Sequence, residues 1–413
     1  AMLTPAAALD LILQNQATFS AEPCALARAH GRVLRRDICA DRDQPPFHRV
    51  ALDGYALRSA AVAQGIRRFR VVAVQAAGMR PAELGEEPDA CVEIMTGAVL
   101  PAGADCVVPY EETTRETITA HQESVTYYVT LSDSAIQGSQ AGRAVHARGS
   151  DFAAGDLVVA KGCRLGAREI AVAASCGCAE PSVSRWPKIA VISTGDELVE
   201  VDAVVAPHQV RRSNDYALRA ALIAAGYPVV ERFHLHDMKH EMEHQMWHIM
   251  AEFDVALLTG GVSKGKFDYL PAVLESLGVK KIFHGVAQRP GKPFWFGLGS
   301  RQNSVFALPG NPVSAYTCLH RYALPALAHA SRHQPMSPRK IRLAEAFTFC
   351  APLACMLPVK LVVDAAGNQT ASPRPTNSSG DFAGLVGTDG FVELPAEQNE
   401  FPAGTIANFW PWA

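Results

Sequence analysis

The chain has 413 residues, of which 48% are hydrophobic and 19% are charged. This composition excludes a disordered chain and predicts roughly two to four domains with buried cores. The 38 basic and 41 acidic residues give a formal net charge of −3, which excludes the basic surface typical of a nucleic-acid-binding protein. The ten cysteines form no C-x-x-C pair, no apolar run reaches the length of a membrane span, and no secretory signal pattern precedes the first predicted helix. We therefore expect a cytoplasmic protein with reduced thiols that binds neither membrane nor nucleic acid.

The first predicted element is a helix, and β structure follows it. Apolar residues at helical spacing predict a helix from Ala6 to Gln16. Between Arg67 and Val129 the chain consists of short β-branched runs separated by Gly- and Pro-rich turns. This region predicts a small β domain inserted between flanking pieces of chain.

From Pro187 onwards, predicted strands alternate with predicted helices, which indicates a mostly parallel, doubly wound sheet. The predicted strands are Lys188–Ser193, Val229–Leu235, Val255–Thr259 and Lys280–Val286, followed by a hairpin of Phe294–Leu298 with Ser304–Leu308. The predicted helices are Asn214–Ala225, one beginning near Met238, Tyr269–Leu277 and Pro312–His329. Ligands of such sheets bind at the carboxyl ends of the strands.

After Arg332 the pattern returns to β, with a predicted hairpin of Val359–Asp364 and Gln369–Ser372. We predict a multidomain α/β and β protein. Its four predicted domains are an N-terminal helical and linker domain (residues 1–45 and 146–180), an inserted β domain (46–145), an α/β domain (181–331) and a C-terminal β-barrel-like domain (332–413).

A glycine-rich segment follows the buried strand that ends at Thr259. Gly260 and Gly261 allow backbone N–H groups to close around phosphate oxygens, and Ser263 adds a hydroxyl. Phe267 stands where a P-loop has Ser or Thr, so Asp268 becomes the candidate magnesium ligand. The alternative is a tight strand-to-helix turn that binds nothing.

A second strand-to-helix loop contains Pro309, Asn311, Pro312 and Ser314. Pro312 suits the first turn of a helix and Asn311 suits its N-cap, so the loop is either a second anion-binding helix start or a well-capped helix.

Between these loops, two prolines and a glycine fix the cations of Arg289 and Lys292 three residues apart. Fixed cations suit a tetrahedral oxyanion, and the alternative is a solvated turn.

Acidic residues follow two strands of the same predicted sheet, namely Glu197 after the first strand and Asp237 after the second. At the carboxyl edge they would hold a metal or read a ribose. Asp53 and Asp151 lie in loops beside glycines, which is equally typical of plain turns.

His240, His244 and His248 share one helix face, where a pair at i and i+4 could bind zinc. Met242, Met246, Ile249 and Phe253 mark the opposite face as the buried one, so we predict that the histidines form a solvated face.

Six motifs resemble, in their order and spacing, those of the MoeA family of molybdopterin molybdenumtransferases. The resemblance covers nearly the whole chain, and a domain of gephyrin is similar as well. The six motifs are Asp53-Gly54-Tyr55-Ala56, Met95-Thr96-Gly97-Ala98, Ser193-Thr194-Gly195-Asp196-Glu197-Leu198, Gly260-Gly261-Val262-Ser263, Pro290-Gly291-Lys292-Pro293 and Leu308-Pro309-Gly310-Asn311-Pro312-Val313-Ser314.

The resemblance implies an enzyme that inserts molybdate into adenylylated molybdopterin with Mg²⁺ and releases AMP. It also implies an elongated four-domain homodimer, an active cleft shared between subunits, and other molybdenum-cofactor biosynthesis proteins as partners. The implied catalytic residues are Asp53, Asp151, Asp237 and Asp268, and Asp237 and Asp268 are the implied metal ligands. The implied binding residues are Thr96, Glu197, Gly260, Gly261, Ser263, Arg289, Lys292, Pro309, Pro312, Ser314 and Ser379, with Ser378 as the alternative in the last loop.

The chain departs from the family pattern at five positions: Ser150 and Arg212 replace acids, and His146, Gly285 and Cys355 replace basic residues; Lys360 replaces a further arginine. These losses support one alternative, a catalytically weakened scaffold or binding protein. A second alternative is a pterin adenylyltransferase, whose sheet domain is similar.

Overall fold

The computed structural model describes residues 2–119, 125–260, 269–334 and 338–412. The chain forms two compact units. The large unit comprises Ala1–Arg36, Lys161–Ile170 and Glu180–Ala413, and the small unit comprises Asp37–Ala160 and Ala171–Ala179. The four finer boundaries drawn from the sequence stay a prediction.

The N-terminal part of the chain contains one amphipathic helix and many short strands. Its strands are β1 (Ala21–Pro23), β2 (Ile38–Cys39), β3 (Arg49–Val50), β4 (Gly54–Leu57), β5 (Arg68–Gln75), β6 (Ala90–Ile94), β7 (Cys106–Pro109), β8 (Thr113–Thr119), β9 (Val125–Leu131), β10 (Val145–His146), β11 (Leu157–Val159) and β12 (Ser182–Ser184). Its helices are α1 (Pro5–Asn15), α2 (Ser59–Ala63), α3 (Asp133–Gly138) and α4 (Ala167–Ser175), with 3-10 turns at Leu26–Arg28 and Tyr110–Glu112.

The small unit is built around a six-stranded sheet in the order β7-β4-β6-β5-β9-β8, which confirms the predicted β structure between Arg67 and Val129. Its core includes Tyr55, Leu57 and Phe69, all at most 2% exposed. At Gly54, β4 lies so close to β7 that an added methyl group would stand 2.0 Å from the carbonyl oxygen of Val108. The glycine of the Asp53-Gly54 motif is therefore required by the packing of the strands.

The α/β part of the large unit follows. Its strands are β13 (Ile189–Thr194), β14 (Leu198–Val199), β15 (Val210–Arg211), β16 (Val230–Leu235), β17 (Val255–Thr259), β18 (Lys280–His284), β19 (Gln288–Arg289), β20 (Trp295–Leu298) and β21 (Ser304–Leu308). Its helices are α5 (Asn214–Ala224), α6 (Lys239–Glu252), α7 (Leu270–Ser276), α8 (Pro312–Cys318) and α9 (Leu324–Ala330), with a π-helical turn at Leu319–Ala323.

The main sheet has the order β16-β13-β17-β21-β20-β18. Its first four strands pair in parallel, and β20 pairs antiparallel with both β21 and β18. Alternate residues of each strand enter two different cores, so that Val191 and Leu257 pack against α5 and α8, while Ile192 and Leu258 pack against α6 and α7. The mostly parallel, doubly wound sheet predicted from the sequence is confirmed.

The segment from Pro312 to Ala330 differs from the sequence prediction of one α-helix reaching His329. It is α8, the π-helical turn and α9 in succession. Pro325 lies near the start of α9, where its missing N–H cannot complete an α-helical hydrogen bond, and the widened turn accommodates it. The predicted helix is therefore present as a continuous helical segment from Pro312 to Ala330, and the sequence analysis did not predict the π-helical turn in its middle.

The C-terminal strands are β22 (Arg339–Leu343), β23 (Phe347–Thr348), β24 (Ala354–Val363), β25 (Gln369–Pro373), β26 (Gly390–Leu394), β27 (Glu400–Phe401) and β28 (Ile406–Pro411), with a 3-10 turn at Phe382–Leu385. Five of them close into a ring in the order β24-β25-β22-β28-β26, because β26 also pairs with β24. This closure confirms the C-terminal β domain. Arg321 of the π turn ties it to the α/β core by a salt bridge of 2.7 Å to Glu393.

Two expectations about surface and redox state can be compared with the structure. No helix in the described ranges combines the length and the apolar character needed to cross a bilayer. All ten cysteines are free thiols, including Cys176 and Cys178.

The close approach of β4 and β7 gives a first testable prediction. Gly54→Ala should lower the free energy of unfolding by roughly 1–3 kcal/mol, because its methyl group meets backbone that cannot rotate away. Denaturant unfolding followed by far-UV circular dichroism would measure the change. Gly380→Ala is the matched control, since its methyl group would meet only the Ser378 hydroxyl at 3.6 Å. Equal stability of the two variants would contradict the prediction.

Candidate functional site

Four parallel strands of the large unit end at the same edge of the sheet. Their last residues are Thr194, Leu235, Thr259 and Leu308, and the pairing register aligns Ser193 with Thr259 and Thr259 with Leu308. Four predicted site residues lie in the loops that follow these strands, namely Glu197, Asp237, Gly260 and Pro309, and Pro312 and Ser314 lie in the helix that follows β21. The parallel sheet therefore brings together loops that are up to 114 residues apart between Thr194 and Leu308, as 308 − 194 gives.

Gly260 lies at the centre of this edge. Its φ of +91° is one that side chains rarely adopt, and an added methyl group would lie 3.0 Å from both the carbonyl oxygen and the Oγ1 of Thr194. A methyl group added at Gly310 would lie 3.5 Å from the Cα of Gly260. The turns after β13, β17 and β21 thus approach each other through backbone, as expected from the glycines.

The loop between β21 and α8 is held by a partner from the C-terminal part of the chain. Asn311 donates a side-chain hydrogen bond of 2.7 Å to the Oγ of Ser379, and the N–H of Val313 donates to the Ser379 carbonyl oxygen at 3.0 Å. Asn311 occupies the N-cap position of α8, but its side chain does not cap the helix. The predicted N-cap position is confirmed, while the side-chain amide binds a residue 68 positions away along the chain. Ser379 is thereby brought next to Pro312.

Pro309 and Ser314 are buried, with Ser314 4% exposed, whereas Pro312 is half-buried. Pro312 is the first residue of α8, as predicted. The exposed parts of this loop are therefore its backbone around Gly310 and the face that carries Asn311.

Three carboxylates follow β13 and β16. The Oδ1 of Asp196 accepts hydrogen bonds from the N–H of Asp237 at 3.2 Å and from the Nδ1 of His236 at 3.1 Å, and these two bonds lower the pKa of Asp196. Burial raises the pKa of Asp237 above its ordinary value, and the carboxylates of Asp196 and Glu197 add to the rise. A cation beside Asp237 would relieve this accumulation of negative charge.

Arg289 is the last residue of β19, Lys292 lies in the tight loop that leads to β20, and both side chains are exposed. The N–H of Val286 donates to the Lys292 carbonyl oxygen at 2.9 Å, and the buried Gln288 side chain donates to the Pro290 carbonyl oxygen at 3.0 Å. Neither cation forms a salt bridge with a described residue. The loop is fixed through its backbone, which leaves both positive charges available to an anion.

The remaining predicted residues of the described chain belong to the small unit. Asp53 and Thr96 are in contact, because the N–H and the hydroxyl of Thr96 each donate to the Oδ1 of Asp53 at 2.7 Å. These bonds lower the pKa of Asp53. Asp151 is exposed, and its N–H donates to the Gln44 carbonyl oxygen at 2.9 Å.

Gly261, Ser263 and Asp268 lie outside the described residues, so their predicted roles stay predictions. Within the described part of the chain, no three His, Cys, Asp or Glu side chains converge to hold a metal ion. Magnesium commonly uses only one or two carboxylates together with water and substrate phosphates, so Asp237 with a second carboxylate would suffice.

The histidines of α6 form a solvated face, as predicted. His240, His244 and His248 are exposed, and the rings of His244 and His248 meet edge to face with centroids 4.7 Å apart. Met242 and Met246 on the other side are at most 2% exposed.

The departures from the family pattern have individual structural explanations. Arg212 is 8% exposed and binds the carboxylates of Glu200 and Asp215, and Arg232 also binds Asp215 at 3.1 Å. Gly285 has a φ of +94°, a conformation in which a lysine would be strained.

Burial raises the pKa of Cys355 to about 12, so it is a neutral thiol where the family commonly has a cation. His146 pairs with Arg49 between β10 and β3, and Ser150 is exposed in the next turn.

Two contributors were not identified from the sequence as site residues. Asn214 was predicted only as the start of a helix, yet its side-chain amide binds Thr259 and Gly310 at the strand edge. His236 was not considered, because a single histidine after a strand carries no spacing signal. Neither partner of Asn214 lies within 40 residues of it along the chain, so no local pattern could have revealed the contact.

A small cleft of about 140 Å³ lies at the opposite, amino edge of the sheet. Arg185 and Asp254 line it and form a salt bridge of 2.6 Å with each other. None of the predicted site residues lines this cleft. The chemistry therefore points to the carboxyl edge rather than to this concavity.

Comparison with known proteins agrees with the geometry. Residues 3–177 match the family model "MoeA N-terminal region (domain I and II)", residues 190–329 match "Probable molybdopterin binding domain" and residues 340–412 match "MoeA C-terminal region (domain IV)". A Synechocystis protein named molybdopterin molybdenumtransferase is 38% identical over 417 residues and covers all of both chains.

A Staphylococcus aureus protein of the same name is 31% identical, covering 96% of this chain and 92% of that protein. The structure of a molybdopterin biosynthesis MoeA protein from Pyrococcus horikosii has a TM-score of 0.80 at 28% identity and full coverage of both chains.

The Thr96–Asp53 contact predicts a measurable titration. Thr96→Val should raise the pKa of Asp53 toward its ordinary value, because one of the two hydrogen bonds to the carboxylate is lost while the N–H remains. A depressed carboxyl pKa stabilises the fold above the unfolded-state pKa, and that contribution disappears as the pH falls through the folded-state pKa. Wild type should therefore keep this turn intact to a lower pH than the variant.

Carboxyl ¹³C shifts of labelled aspartate, followed against pH, would report the Asp53 titration. Ser59→Ala is the control, because Ser59 binds the Asp105 carboxylate through the same pair of groups in the same unit. An Asp53 titration that is unchanged in Thr96→Val would refute the assignment.

The ion pairs around Asp215 predict a large loss of stability. Asp215 is 0% exposed and binds both Arg212 and Arg232, so Asp215→Asn should leave two guanidinium groups without their shared counter-charge. We expect a loss of roughly 3–5 kcal/mol in the free energy of unfolding. Glu200→Gln serves as control and should cost less than about 1 kcal/mol, since Glu200 is half exposed. Denaturant titration of the three proteins would test the ranking.

Proposed function

Because the chain belongs to the MoeA family, we propose that it inserts molybdate into adenylylated molybdopterin and releases AMP. The observation that carries this proposal is the meeting of the turns after β13, β17 and β21 through Gly260 and Gly310 at one sheet edge. Backbone exposed by glycine at the carboxyl ends of parallel strands is a common binding surface for a nucleotide phosphate.

The acidic side of this edge suits the nucleotide and a divalent cation. Asp237 and Asp268 would hold Mg²⁺, and the pKa of Asp237 is raised first by burial and then by the carboxylates of Asp196 and Glu197, whose negative charge a cation would offset. When bound, the ion would neutralise charge that develops on the phosphate of the departing AMP. Glu197, which follows the turn at Gly195, would bind the nucleotide from the same side.

The basic side suits molybdate. Arg289 and Lys292 carry the positive charge of this side. Ser314 and Ser379 would donate hydroxyl hydrogen bonds to the oxyanion. Because the backbone of this loop is already fixed, binding a doubly charged anion would cost little conformational entropy in the loop.

In the proposed reaction, no side chain has to act as a nucleophile. A molybdate oxygen attacks the adenylyl phosphorus, and the bond from that phosphorus to the bridging oxygen of the pterin phosphate breaks. AMP then leaves with the molybdate oxygen as the dithiolene sulfurs bind molybdenum, which stays in the same oxidation state. The protein contributes position and charge, which are the usual contributions to phosphoryl transfer.

We also propose that Asp53 and Asp151 of the small unit are catalytic residues and that Thr96 is a binding residue. The proposal further includes a homodimer in the cytoplasm and other molybdenum-cofactor biosynthesis proteins as partners. Two alternatives make different demands. A pterin adenylyltransferase would form adenylylated product from ATP and pterin without molybdate. A scaffold that has lost catalysis would bind ligands and release no AMP.

The proposal predicts AMP release in a defined mixture. Purified protein with adenylylated molybdopterin, Mg²⁺ and molybdate should release AMP, and Asp237→Asn should slow the release by roughly 100-fold because charge at the leaving phosphate is no longer compensated. Chromatographic quantification of AMP measures the rate. Asp268→Ala should likewise abolish release.

His244→Ala should leave the rate unchanged, since His244 is exposed on α6, whose packing it does not support. Background AMP release by wild-type protein would reject the transferase function. Adenylylated product from ATP and pterin alone would favour the adenylyltransferase.

A further inference from the structure

We propose that Asn214 is a positioning residue of this site, which fixes the turn at Gly260 against the loop at Gly310. Asn214 is the first residue of α5, and the inference rests on the proposed function of the carboxyl edge. Its side-chain amide donates to the Oγ1 of Thr259 at 2.8 Å and to the Gly310 carbonyl oxygen at 2.7 Å. One amide group therefore links the end of β17 to the loop after β21.

The link matters because Asn311 ties the loop at Gly310 to Ser379 and not to the turn at Gly260. Gly260 and Gly310 approach each other through backbone, and the φ of Gly260 is accessible mainly to glycine. Glycines also leave the chain with the most freedom to move. A fixed spacing between the two turns therefore needs a bond from outside them, and Asn214 supplies it.

Asn214 is well placed to act as a reference point, because α5 is anchored by other residues. Leu218 and Leu222 are at most 1% exposed in the core below the sheet, and Asp215 binds Arg212 and Arg232. Loss of the Asn214 amide should therefore release the turns without removing the helix.

The chemistry of the bonds makes the identity of the residue specific. Both bonds use the amide nitrogen as donor, and the carbonyl oxygen of Gly310 can only accept. Aspartate has the same shape but no donor, and it would place a negative charge against that oxygen. Displacement of binding groups by about 1 Å can cost about 100-fold in rate, so loosening of these turns should act mainly on catalysis and on nucleotide affinity.

The test compares Asn214→Ala and Asn214→Asp with wild type in AMP binding and in AMP release. Calorimetry with AMP and Mg²⁺ should show an affinity roughly 10-fold weaker in both variants, and kcat for AMP release should fall by about 10- to 100-fold. Hydrogen exchange of the unliganded proteins should increase in peptides that cover 255–260 and 308–313.

Asn303→Ala is the matched control, because Asn303 donates from the same amide group to two carbonyl oxygens, of Met250 and Phe253, at the opposite edge of the sheet. It should lower the melting temperature without weakening AMP binding. Thr259→Val supplies a second route that leaves Asn214 in place, and its effect on AMP affinity should be less than additive with that of Asn214→Ala.

The outcomes are distinct. If wild type binds AMP and both Asn214 variants bind it within twofold of wild type, Asn214 is not a positioning residue. Additive effects of Thr259→Val and Asn214→Ala would overturn the inference as well. If wild type neither binds nor releases AMP, the proposed function fails first, and this inference fails with it.

Discussion

The parallel register of β13, β17 and β21 is the constraint on which the site depends. Parallel pairing places Ser193, Thr259 and Leu308 side by side, so that the loops which follow them start from neighbouring points. Two buried cores hold this register, because a shift by one residue would exchange the faces of every strand. The backbone contacts at Gly260 and Gly310 are possible only because the register is fixed on both sides of the sheet.

This constraint separates the charges of the site. Carboxylates follow the strands on one side of the edge, with Asp196 and Glu197 after β13 and Asp237 after β16. The cations of Arg289 and Lys292 lie on a loop that precedes β20, which is antiparallel to the others and therefore begins at the same edge. Under the proposed function, the acidic side would hold Mg²⁺ for the phosphate and the basic side would hold the oxyanion.

Local sequence signals were sufficient to predict the strands of the sheet, but they were not sufficient to predict the side-chain contacts that hold its loops. Val255–Thr259 is predicted to the residue, because a strand buried on both faces is an unbroken apolar run between polar ends. The side-chain contacts of Asn311 and Asn214 were not predicted, because their partners come from distant parts of the chain. Arg212 was interpreted as a lost acid, and its two carboxylate partners became visible only once the fold had brought Glu200 beside α5.

The same contacts explain how the chain can depart from its family pattern without changing the edge. Arg212 is neutralised by Glu200 and Asp215, so it adds no free positive charge to the strand ends. Gly285 occupies a backbone conformation that suits glycine, and Cys355 is a neutral buried thiol.

Arg212, Gly285 and Cys355 therefore add no uncompensated charge, while the exposed charges at the edge persist. Under the proposed function, which uses those exposed charges and the spacing of the glycine turns, these three departures are compatible with catalysis. A chain that is only a scaffold would then require displaced turns at the sheet edge, and Asn214 and Asn311 hold these turns in place.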